Sequence, residues 1–543
     1  MITRPLNSDK KFQHIIFLVF VLALIIHLLF TFTGFYNDDD INYVRYAADI
    51  ASNGFSEQIA VSHFQLRWTV IHLTAFFYKI FGISTFSSAL CSFISVIGSG
   101  FLITKMIRQY NPVIFTFTLL MYFFAYSTLF YMQRTLPDVT ICFAVSWMYY
   151  SYRSFTGQPA KPIKYGVQFS LALMLAIITK ESIIMALPLF FILFLNDFFK
   201  KRNSSFWSFA IASSVLLVFL YLLYFKITTG SFLFRYNLLQ AGSYFSECSY
   251  DKLPFLFTLK RIGYQLWENM LINGDGLILL PSLTACLYLK KIKPYGKINN
   301  LDFFSFLILL CAANFMTISF TNYVPLCPAP RHFMFLFPFA AILGGPMMHA
   351  FFKDPRKFLL LPVFMMVATC ILFYLGAGNT KYLYLLFSMI LLARFILSFI
   401  IPSKIAFIVC TLAFILLFCL NYIIDFVQPK YPFYWNHKKV VVRSLKENKL
   451  TGTLFSADGM SGELTEFFLK FKTENLRILP IDSVKPFNPG TLYFLNVGDI
   501  NPGIQMQIDT LMNKNNNPTL ILLDKEENVS LFKVDNAFLN NMK

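Results

Sequence analysis

The sequence contains few charged residues for its length. Of 543 residues, only 14% are Asp, Glu, Lys or Arg, whereas 57% are hydrophobic, and the mean hydropathy is +0.59. A soluble protein of this size needs more polar side chains than this to cover its apolar core and form a surface in contact with water. The composition therefore excludes a soluble globular protein and predicts an integral membrane protein.

Acidic residues are scarcer than basic ones, with 28 Asp and Glu against 46 Lys and Arg and a formal net charge of +18. A basic excess of this size is also typical of nucleic-acid-binding proteins. Here the basic residues form small clusters between apolar runs, where they determine membrane topology. We therefore predict no nucleic-acid partner.

Cysteine and histidine are too few, or too scattered, for two common kinds of site. Seven of the nine cysteines lie in apolar runs, which excludes a disulfide framework. No His and Cys cluster has the spacing of a zinc site, and no Gly-rich nucleotide-binding loop is present. Cys248 and Cys327 fall in predicted outer loops, where they either form a disulfide in an oxidising compartment or are two unrelated thiols.

Long apolar runs dominate the chain. A helix needs roughly 18 to 22 residues to cross about 30 Å of hydrocarbon, and this length gives about thirteen candidate spans. The first is long and lacks a cleavage site, so we interpret it as a retained helix rather than a signal peptide. The spans are 13–35, 85–104, 112–131, 138–153, 164–179, 182–199, 206–226, 275–290, 301–320, 333–351, 357–376, 382–401 and 404–424.

The basic residues between these spans give the orientation. If the amino terminus is cytoplasmic, the Lys and Arg excess falls in every second loop, as the positive-inside rule requires. These loops contain Lys105 and Arg108; Arg153, Lys161 and Lys164; Lys200, Lys201 and Arg202; Lys290, Lys291, Lys293 and Lys297; Lys353, Arg356 and Lys357; and Lys404. The odd number of spans then places the loop 36–84 and the segment 425–543 on the outer face.

The first outer loop, 36–84, is too long for a simple connection. Its sequence "INYVRYAADIASNGF" has a helical apolar stripe and ends in Asn53-Gly54, which is a helix-termination signal. The stretch Phe64 to Gly82 predicts a second amphipathic or re-entrant helix. The loop is therefore expected to be a structured platform in the membrane interface.

After Asp425 the composition becomes that of a soluble domain. Helical and strand patterns alternate, which predicts a small α/β domain over 425–543 beyond a transmembrane domain over 1–424. The predicted helices are "VVVRSLKENK", "ELTEFFLKFK" and "IQMQIDTLMNK", and the predicted strands are "GTLFSAD", "LRILPI", "GTLYFLNV", "PTLILLD" and "VSLFKVD".

Several outer-face motifs, taken in order, resemble one family. They are "DDINYVRYAADIASNGF", "RW", "FYKIFGIST", "RTLPDVT", "TKES" and "PAPRHFMFLFPFAAILGG". Over residues 12–424 the chain resembles the GT-C glycosyltransferases, especially the protein O-mannosyltransferase and lipid A aminoarabinose transferase branch. The resemblance implies an all-α polytopic fold and sugar transfer from a polyprenyl-phosphate-linked donor. The acceptor would be lipid A, an envelope glycan or a protein hydroxyl, at the periplasmic face of a bacterial inner membrane.

The run of three aspartates contains the candidate catalytic residues. By resemblance to the family, Asp39 and Asp40 with Tyr43 match an acidic pair followed by Tyr, so Asp39 is the candidate base and Tyr43 a substrate-binding residue. Asp40 would orient the acceptor or, together with Asp38, hold a divalent cation; no cofactor is otherwise implied. The alternative is that the aspartates only cap the helix that follows.

Four cations at predicted outer helix ends are candidate ligands for the carrier phosphate, because Arg and Lys make charge-assisted hydrogen bonds to phosphate. They are Arg67, Arg134, Lys180 and Arg331. Arg331 lies in the family's Pro-x-Arg-aromatic position, although His332 stands where the family has Tyr. Each could instead reach out to lipid head groups. Lys180 with Glu181, or Arg134 with Asp138, could also be ion pairs that stabilise helix ends.

Two other classes of protein remain as alternatives. A lipid-linked sugar flippase would be expected to have discontinuous helices and ionisable groups at mid-membrane, but only Arg394 lies well inside a predicted span. A polysaccharide polymerase or ligase would have the same outer-face arrangement of polar residues. The acidic platform favours the monosaccharide transferase.

The assignment of the base predicts the effect of one substitution. Asp39→Asn removes the proton acceptor but keeps the size of the side chain, so sugar transfer should be abolished. The variant should still fold and insert, which its yield and its elution in detergent would show. Full transfer activity in this variant would contradict the assignment.

Overall fold

The computed structural model describes most of the chain. The described residues are 7–31, 35, 38–54, 63–241, 248–295, 299–317, 322–427, 433–447, 451–456, 459–472, 476–480, 492–497, 520–526 and 529–534. Two of the sequence predictions fall outside these residues: the predicted helix over 504–514, and the side chain of Asp38.

Most described residues are helical. The helices are α1 (Asn7–Phe30), α2 (Asp38–Asn53), α3 (Trp68–Phe81), α4 (Thr85–Ile107), α5 (Pro112–Phe123), α6 (Tyr126–Tyr131), α7 (Pro137–Gly157), α8 (Pro162–Thr179), α9 (Leu187–Phe199), α10 (Ser204–Thr229), α11 (Phe234–Ala241), α12 (Phe255–Lys260), α13 (Leu266–Ile272), α14 (Gly276–Leu287), α15 (Leu289–Ile292), α16 (Asn300–Phe315), α17 (Phe337–Lys353), α18 (Leu360–Tyr374), α19 (Thr380–Leu397), α20 (Ser403–Val427), α21 (Phe433–Val440) and α22 (Gly459–Phe468).

The chain forms two compact units. The first unit comprises residues 1–30, 57–73 and 89–427, and the second comprises 31–56, 74–88 and 428–543. The second unit therefore takes in two pieces of the first predicted outer loop as well as the carboxy-terminal segment.

The first unit is a helical bundle. Every predicted span coincides with a helix of the structure, and within the described residues seven helices are long and apolar enough to cross a membrane. The span 138–153 coincides with α7, and shorter apolar helices account for the other five spans: α5, α9, α14, α16 and α18. The prediction of an all-α polytopic architecture is confirmed.

Several predicted spans are broken rather than continuous. The run 112–131 divides into α5 and α6 because Ala125 has an extended backbone conformation, with φ −60° and ψ 138°. The runs that begin near 182 and 333 each start with 3₁₀ turns, at Glu181–Met185 and Pro330–Leu336. These tighter turns change the direction in which side chains project at the helix ends.

Helix α17 lies at the centre of the bundle and packs against α5 and α14. Almost all of its residues are buried. A Cβ atom on Gly345 would lie 2.9 Å from the backbone nitrogen of Thr118, so only glycine allows α5 and α17 to approach this closely.

Near the carboxyl end of α7, buried carboxylates of neighbouring helices pair with side chains of α7. Asp197 accepts hydrogen bonds from the Tyr152 hydroxyl at 2.8 Å and from the indole of Trp207 at 3.0 Å. Asp302 pairs with Arg153 at 3.1 Å and accepts a hydrogen bond from Tyr149 at 2.6 Å. Because these carboxylates are paired with side chains of neighbouring helices, they connect α7 to α9, α10 and α16.

The second unit contains α2 and the carboxy-terminal part of α3, which are the two predicted loop helices. Helix α2 ends before Gly54, which has φ +79°, and α3 ends before Gly82, which has φ +73°. Both glycines therefore adopt the left-handed conformation that terminates helices, as the sequence predicted.

The rest of the second unit is a five-stranded mixed sheet with helices α21 and α22. The strands are β1 (Gly452–Ser456), β2 (Leu476–Pro480), β3 (Leu492–Val497), β4 (Leu520–Glu526) and β5 (Val529–Val534), in the order β2-β1-β3-β5-β4. Strand β1 pairs in parallel with β2 and β3, whereas β5 pairs antiparallel with β3 and β4. Each predicted strand coincides with one of these strands.

A disulfide joins Cys248 to Cys327 in the first unit, across a sequence separation of 79 residues. Of the two alternatives that the sequence left open, the structure has the disulfide. The remaining seven cysteines are free thiols.

The disulfide predicts a change in thiol count. Denatured protein should react with seven equivalents of a maleimide–polyethylene glycol reagent without reductant, and with nine after reduction, as a gel shift would show. The variant Cys248→Ser should expose one further thiol without reductant. It should also lower the free energy of unfolding by about 2 to 4 kcal/mol. Equal counts with and without reductant would contradict the bond.

Candidate active site

Three polar side chains of the first unit meet at a single carboxylate oxygen. Lys180 Nζ donates a hydrogen bond to Asp138 Oδ1 at 2.8 Å, and His332 Nδ1 lies 3.0 Å from the same oxygen. All three side chains are buried. The other carboxylate oxygen, Asp138 Oδ2, is buried without a hydrogen-bond partner among the described residues, so it can accept one from a ligand.

Local backbone structure brings these three residues together. Asp138 follows Pro137 in the first turn of α7, where the helix amino terminus favours a carboxylate. Lys180 caps the carboxyl end of α8, where a cation is favoured. His332 lies in the 3₁₀ turns that precede α17. The cluster is thus assembled from the ends of three elements.

A second carboxylate is paired with two arginines. Glu181 Oε1 accepts a hydrogen bond from Arg67 Nη2 at 3.0 Å, and Glu181 Oε2 lies 3.7 Å from Arg235 Nη2. Arg235 also donates hydrogen bonds to the Tyr221 hydroxyl at 2.9 Å and to the carbonyl of Ile177 at 2.6 Å. Sequence reasoning missed Arg235, because it lies in a long connecting stretch without a recognisable motif.

The alternative ion pairs proposed from the sequence need correction. Lys180 pairs with Asp138 rather than with the adjacent Glu181. The backbone at Lys180 is extended, with φ −162° and ψ 144°, between the end of α8 and the 3₁₀ turn that begins at Glu181. The described partners of Asp138 are Lys180 and His332, not Arg134.

The electrostatics of the cluster are dominated by positive charge. Burial, together with the nearby charges of Arg67 and Arg331, lowers the pKa of Lys180 even though Asp138 opposes this shift. Burial raises the pKa of Glu181, but Arg67, Arg235 and Lys180 outweigh it and bring the value down to about 2. The shift of Glu181 indicates an environment that favours negative charge.

Arg331 and Arg134 occupy different settings. Arg331 is partly exposed at the start of the 3₁₀ turns before α17, and its charge acts on Lys180. Arg134 is buried; its guanidinium stacks on the ring of Phe130 at 4.0 Å and donates a hydrogen bond to the Phe130 carbonyl at 3.1 Å. The described contacts therefore bring together Arg67, Lys180 and Arg331.

The candidate catalytic residues belong to the second unit. Asp38 begins α2, Asp39 follows with a partly buried side chain, and Asp40 and Tyr43 are buried. Among the described side chains, no group of three or more His, Cys, Asp or Glu residues could hold a metal ion. The metal assignment to Asp38 and Asp40 and the role of Asp39 stay predictions.

No family model matches the chain, and no curated protein sequence matches it. Among solved structures, it resembles the lipid A aminoarabinose transferase ArnT from Cupriavidus metallidurans in two states. Against the apo form the TM-score is 0.59 with 12% identity, covering 99% of this chain and all of ArnT. Against the form bound to undecaprenyl phosphate the TM-score is 0.58 with 12% identity, covering 96% of this chain and 98% of ArnT. The chain has the GT-C fold.

The GT-C fold is a polytopic membrane architecture, so the chain is an integral membrane protein that crosses the bilayer several times. The likeness extends over nearly the full length of both chains, including the carboxy-terminal part. The fold that the sequence motifs implied is confirmed.

The pairing of Glu181 predicts a specific pH dependence. The pKa of Glu181 falls from an ordinary 4.5 in the unfolded chain to about 2 in the folded one. Its pairing therefore stabilises the protein fully above about pH 4.5 and is lost as the pH falls towards 2. Glu181→Gln should be less stable than wild type at neutral pH, and the difference should shrink below pH 4.5. Thermal unfolding in detergent across pH 3 to 7 would measure this, and a constant difference would contradict the assignment.

Proposed function

We propose that the protein is a membrane glycosyltransferase that moves a sugar from a polyprenyl-phosphate-linked donor to an acceptor hydroxyl. The observation that carries this proposal is the buried, cation-rich cluster around Lys180 in a chain with the GT-C fold. ArnT, which has a similar fold, has been solved bound to undecaprenyl phosphate. The same class of lipid carrier would supply the negative charge that the cluster favours.

The electrostatics of the cluster support a phosphate ligand. The cations are Arg67, Lys180, Arg235 and Arg331, and the carboxylates beside them are Asp138 and Glu181. Arg67, Arg235 and Lys180 together lower the pKa of Glu181 to about 2, so negative charge is stabilised at this place. The same cations would stabilise a phosphate group.

The cluster suits the chemistry of the leaving group. In the reaction, the bond between the anomeric carbon and the phosphate oxygen breaks, and the electron pair remains on the carrier phosphate. Arg and Lys stabilise this developing charge through charge-assisted hydrogen bonds that are already oriented. Arg67 and Lys180 are held in place by carboxylates, so little reorganisation is needed when the phosphate departs.

The acceptor hydroxyl must lose its proton as its oxygen attacks the anomeric carbon. We assign this proton to the carboxylate of Asp39, with Asp40 orienting the acceptor or a divalent ion and Tyr43 binding substrate. Arg134 is assigned to phosphate binding with Arg67, Lys180 and Arg331. The acceptor is an envelope glycolipid, a glycan or a protein hydroxyl at the outer face of a bacterial inner membrane.

The proposal is tested by comparing cells with and without the gene. Mass spectrometry of envelope glycolipids, glycans and glycoproteins should show one class that loses the mass of a single sugar residue when the gene is deleted. Loss of long chains, without a single-sugar difference, would instead indicate a polymerase or ligase. Accumulation of unmodified lipid-linked sugar on the inner leaflet would indicate a flippase. No difference in any class would contradict the proposal.

The assignment of the carrier phosphate predicts the effect of removing its ligands. Lys180→Met and Arg331→Ala should each weaken binding of undecaprenyl phosphate to the purified protein by about tenfold to a hundredfold. Binding can be followed by native mass spectrometry or by protection against thermal unfolding. Arg202→Ala is a matched control, because Arg202 pairs with Asp197 at 2.7 Å at the other end of the bundle. Equal affinities in all variants would contradict the assignment.

A further inference from the structure

One arginine of α2 is paired with two glutamates of α22. Arg45 Nη2 lies 2.8 Å from Glu466 Oε2 and 3.4 Å from Glu463 Oε1. Glu463 and Glu466 are three residues apart on one helix, so their side chains share a face and can receive the same guanidinium. The pairing connects residues 421 positions apart in the sequence.

An aromatic contact reinforces this connection. The ring of Phe35, just before the aspartate run, meets the ring of Phe467 edge to face at a centroid distance of 4.9 Å. Both side chains are buried. Edge-to-face pairs of this kind are stabilised by the attraction between the ring edge and the ring face as well as by the burial of apolar area. The entry to α2 and its first turns are therefore both held by α22.

Helix α22 is in turn fixed to the rest of the carboxy-terminal fold. The Thr465 hydroxyl and His437 Nε2 of α21 are 2.9 Å apart, and the ring of Phe468 packs against Tyr434. A Cβ atom on Gly462 would lie 2.8 Å from the Ser456 hydroxyl oxygen of β1, so α22 approaches the sheet closely at that glycine. These contacts leave α22 little freedom to move relative to the sheet.

The aspartate run lies at the start of α2, so the position of this helix determines where the aspartates lie. Asp40 and Arg45 are five residues apart on one continuous helix, which corresponds to about 7.5 Å along its axis. The side chains of Asp40, Tyr43 and Val44 are buried. A rotation or tilt of α2 would therefore move the carboxylates of the aspartate run together with Arg45.

We propose that α22 of the carboxy-terminal domain is a positioning element for the acidic helix α2, and that Arg45 is the positioning residue through which it acts. The catalytic part of this inference rests on the proposed function; the anchoring of α2 does not. The carboxy-terminal domain then contributes to transfer by fixing the orientation of the helix that carries the aspartates.

The anchoring is tested by hydrogen–deuterium exchange on the full-length protein in detergent. Arg45→Glu places a third carboxylate beside Glu463 and Glu466, so exchange of the 38–53 amides should rise about five- to tenfold. Adding Glu466→Arg should restore slow exchange, because one cation would again lie between two carboxylates. Lys439→Ala, which breaks an exposed pair with Glu526 in the same domain, should leave 38–53 unchanged. Unchanged exchange in Arg45→Glu would overturn the inference.

The catalytic part is tested on the sugar modification that the envelope comparison identifies. Arg45→Glu should lower the transfer rate about five- to tenfold with unchanged affinity for undecaprenyl phosphate, and the Arg45→Glu/Glu466→Arg pair should recover it. Faster exchange in 38–53 without loss of transfer would overturn the positioning role. If wild-type protein modifies no envelope component, the proposed function fails, and the exchange experiment still decides whether α22 anchors α2.

Discussion

The buried ion pair between Asp138 and Lys180 joins two helix ends inside an apolar bundle. Neither charge can be solvated by water there, and leaving one of them unpaired would cost about 3 to 5 kcal/mol. The start of α7 and the end of α8 must therefore meet. Glu181 follows Lys180 directly, and Arg67 and Arg235 pair with it. The meeting of these two helix ends therefore also places the second carboxylate and its two arginines.

The same constraint acts at the far end of α7. Between Asp138 and Arg153 the helix rises about 22 Å, and at that end Tyr149, Tyr152 and Arg153 pair with the carboxylates of neighbouring helices. Both ends of α7 are therefore connected to other helices through buried carboxylates. At the amino-terminal end the carboxylate belongs to α7 itself, and its partners Lys180 and His332 come from other elements.

Much of the fold could be predicted from the sequence. The length of the apolar runs was enough to locate the spans, and Gly54 and Gly82 indicated where α2 and α3 end. Both signals are local in the sequence, so they can be recognised without knowledge of the fold. The partners of Lys180 and Glu181 could not be predicted, since they depend on which helix ends meet. Arg235 was missed for the same reason. The order of the strands could not be predicted either, because it depends on contacts between distant segments. The catalytic role of Asp39 stays a prediction.

The disulfide between Cys248 and Cys327 also bears on how the protein is made. The helices α14 and α16 lie between the two cysteines in the sequence. Both must cross the bilayer before the two thiols can be on the same side. The bond can therefore close only after this helical hairpin has been inserted in the correct orientation. The presence of the bond therefore reports that both α14 and α16 have been inserted.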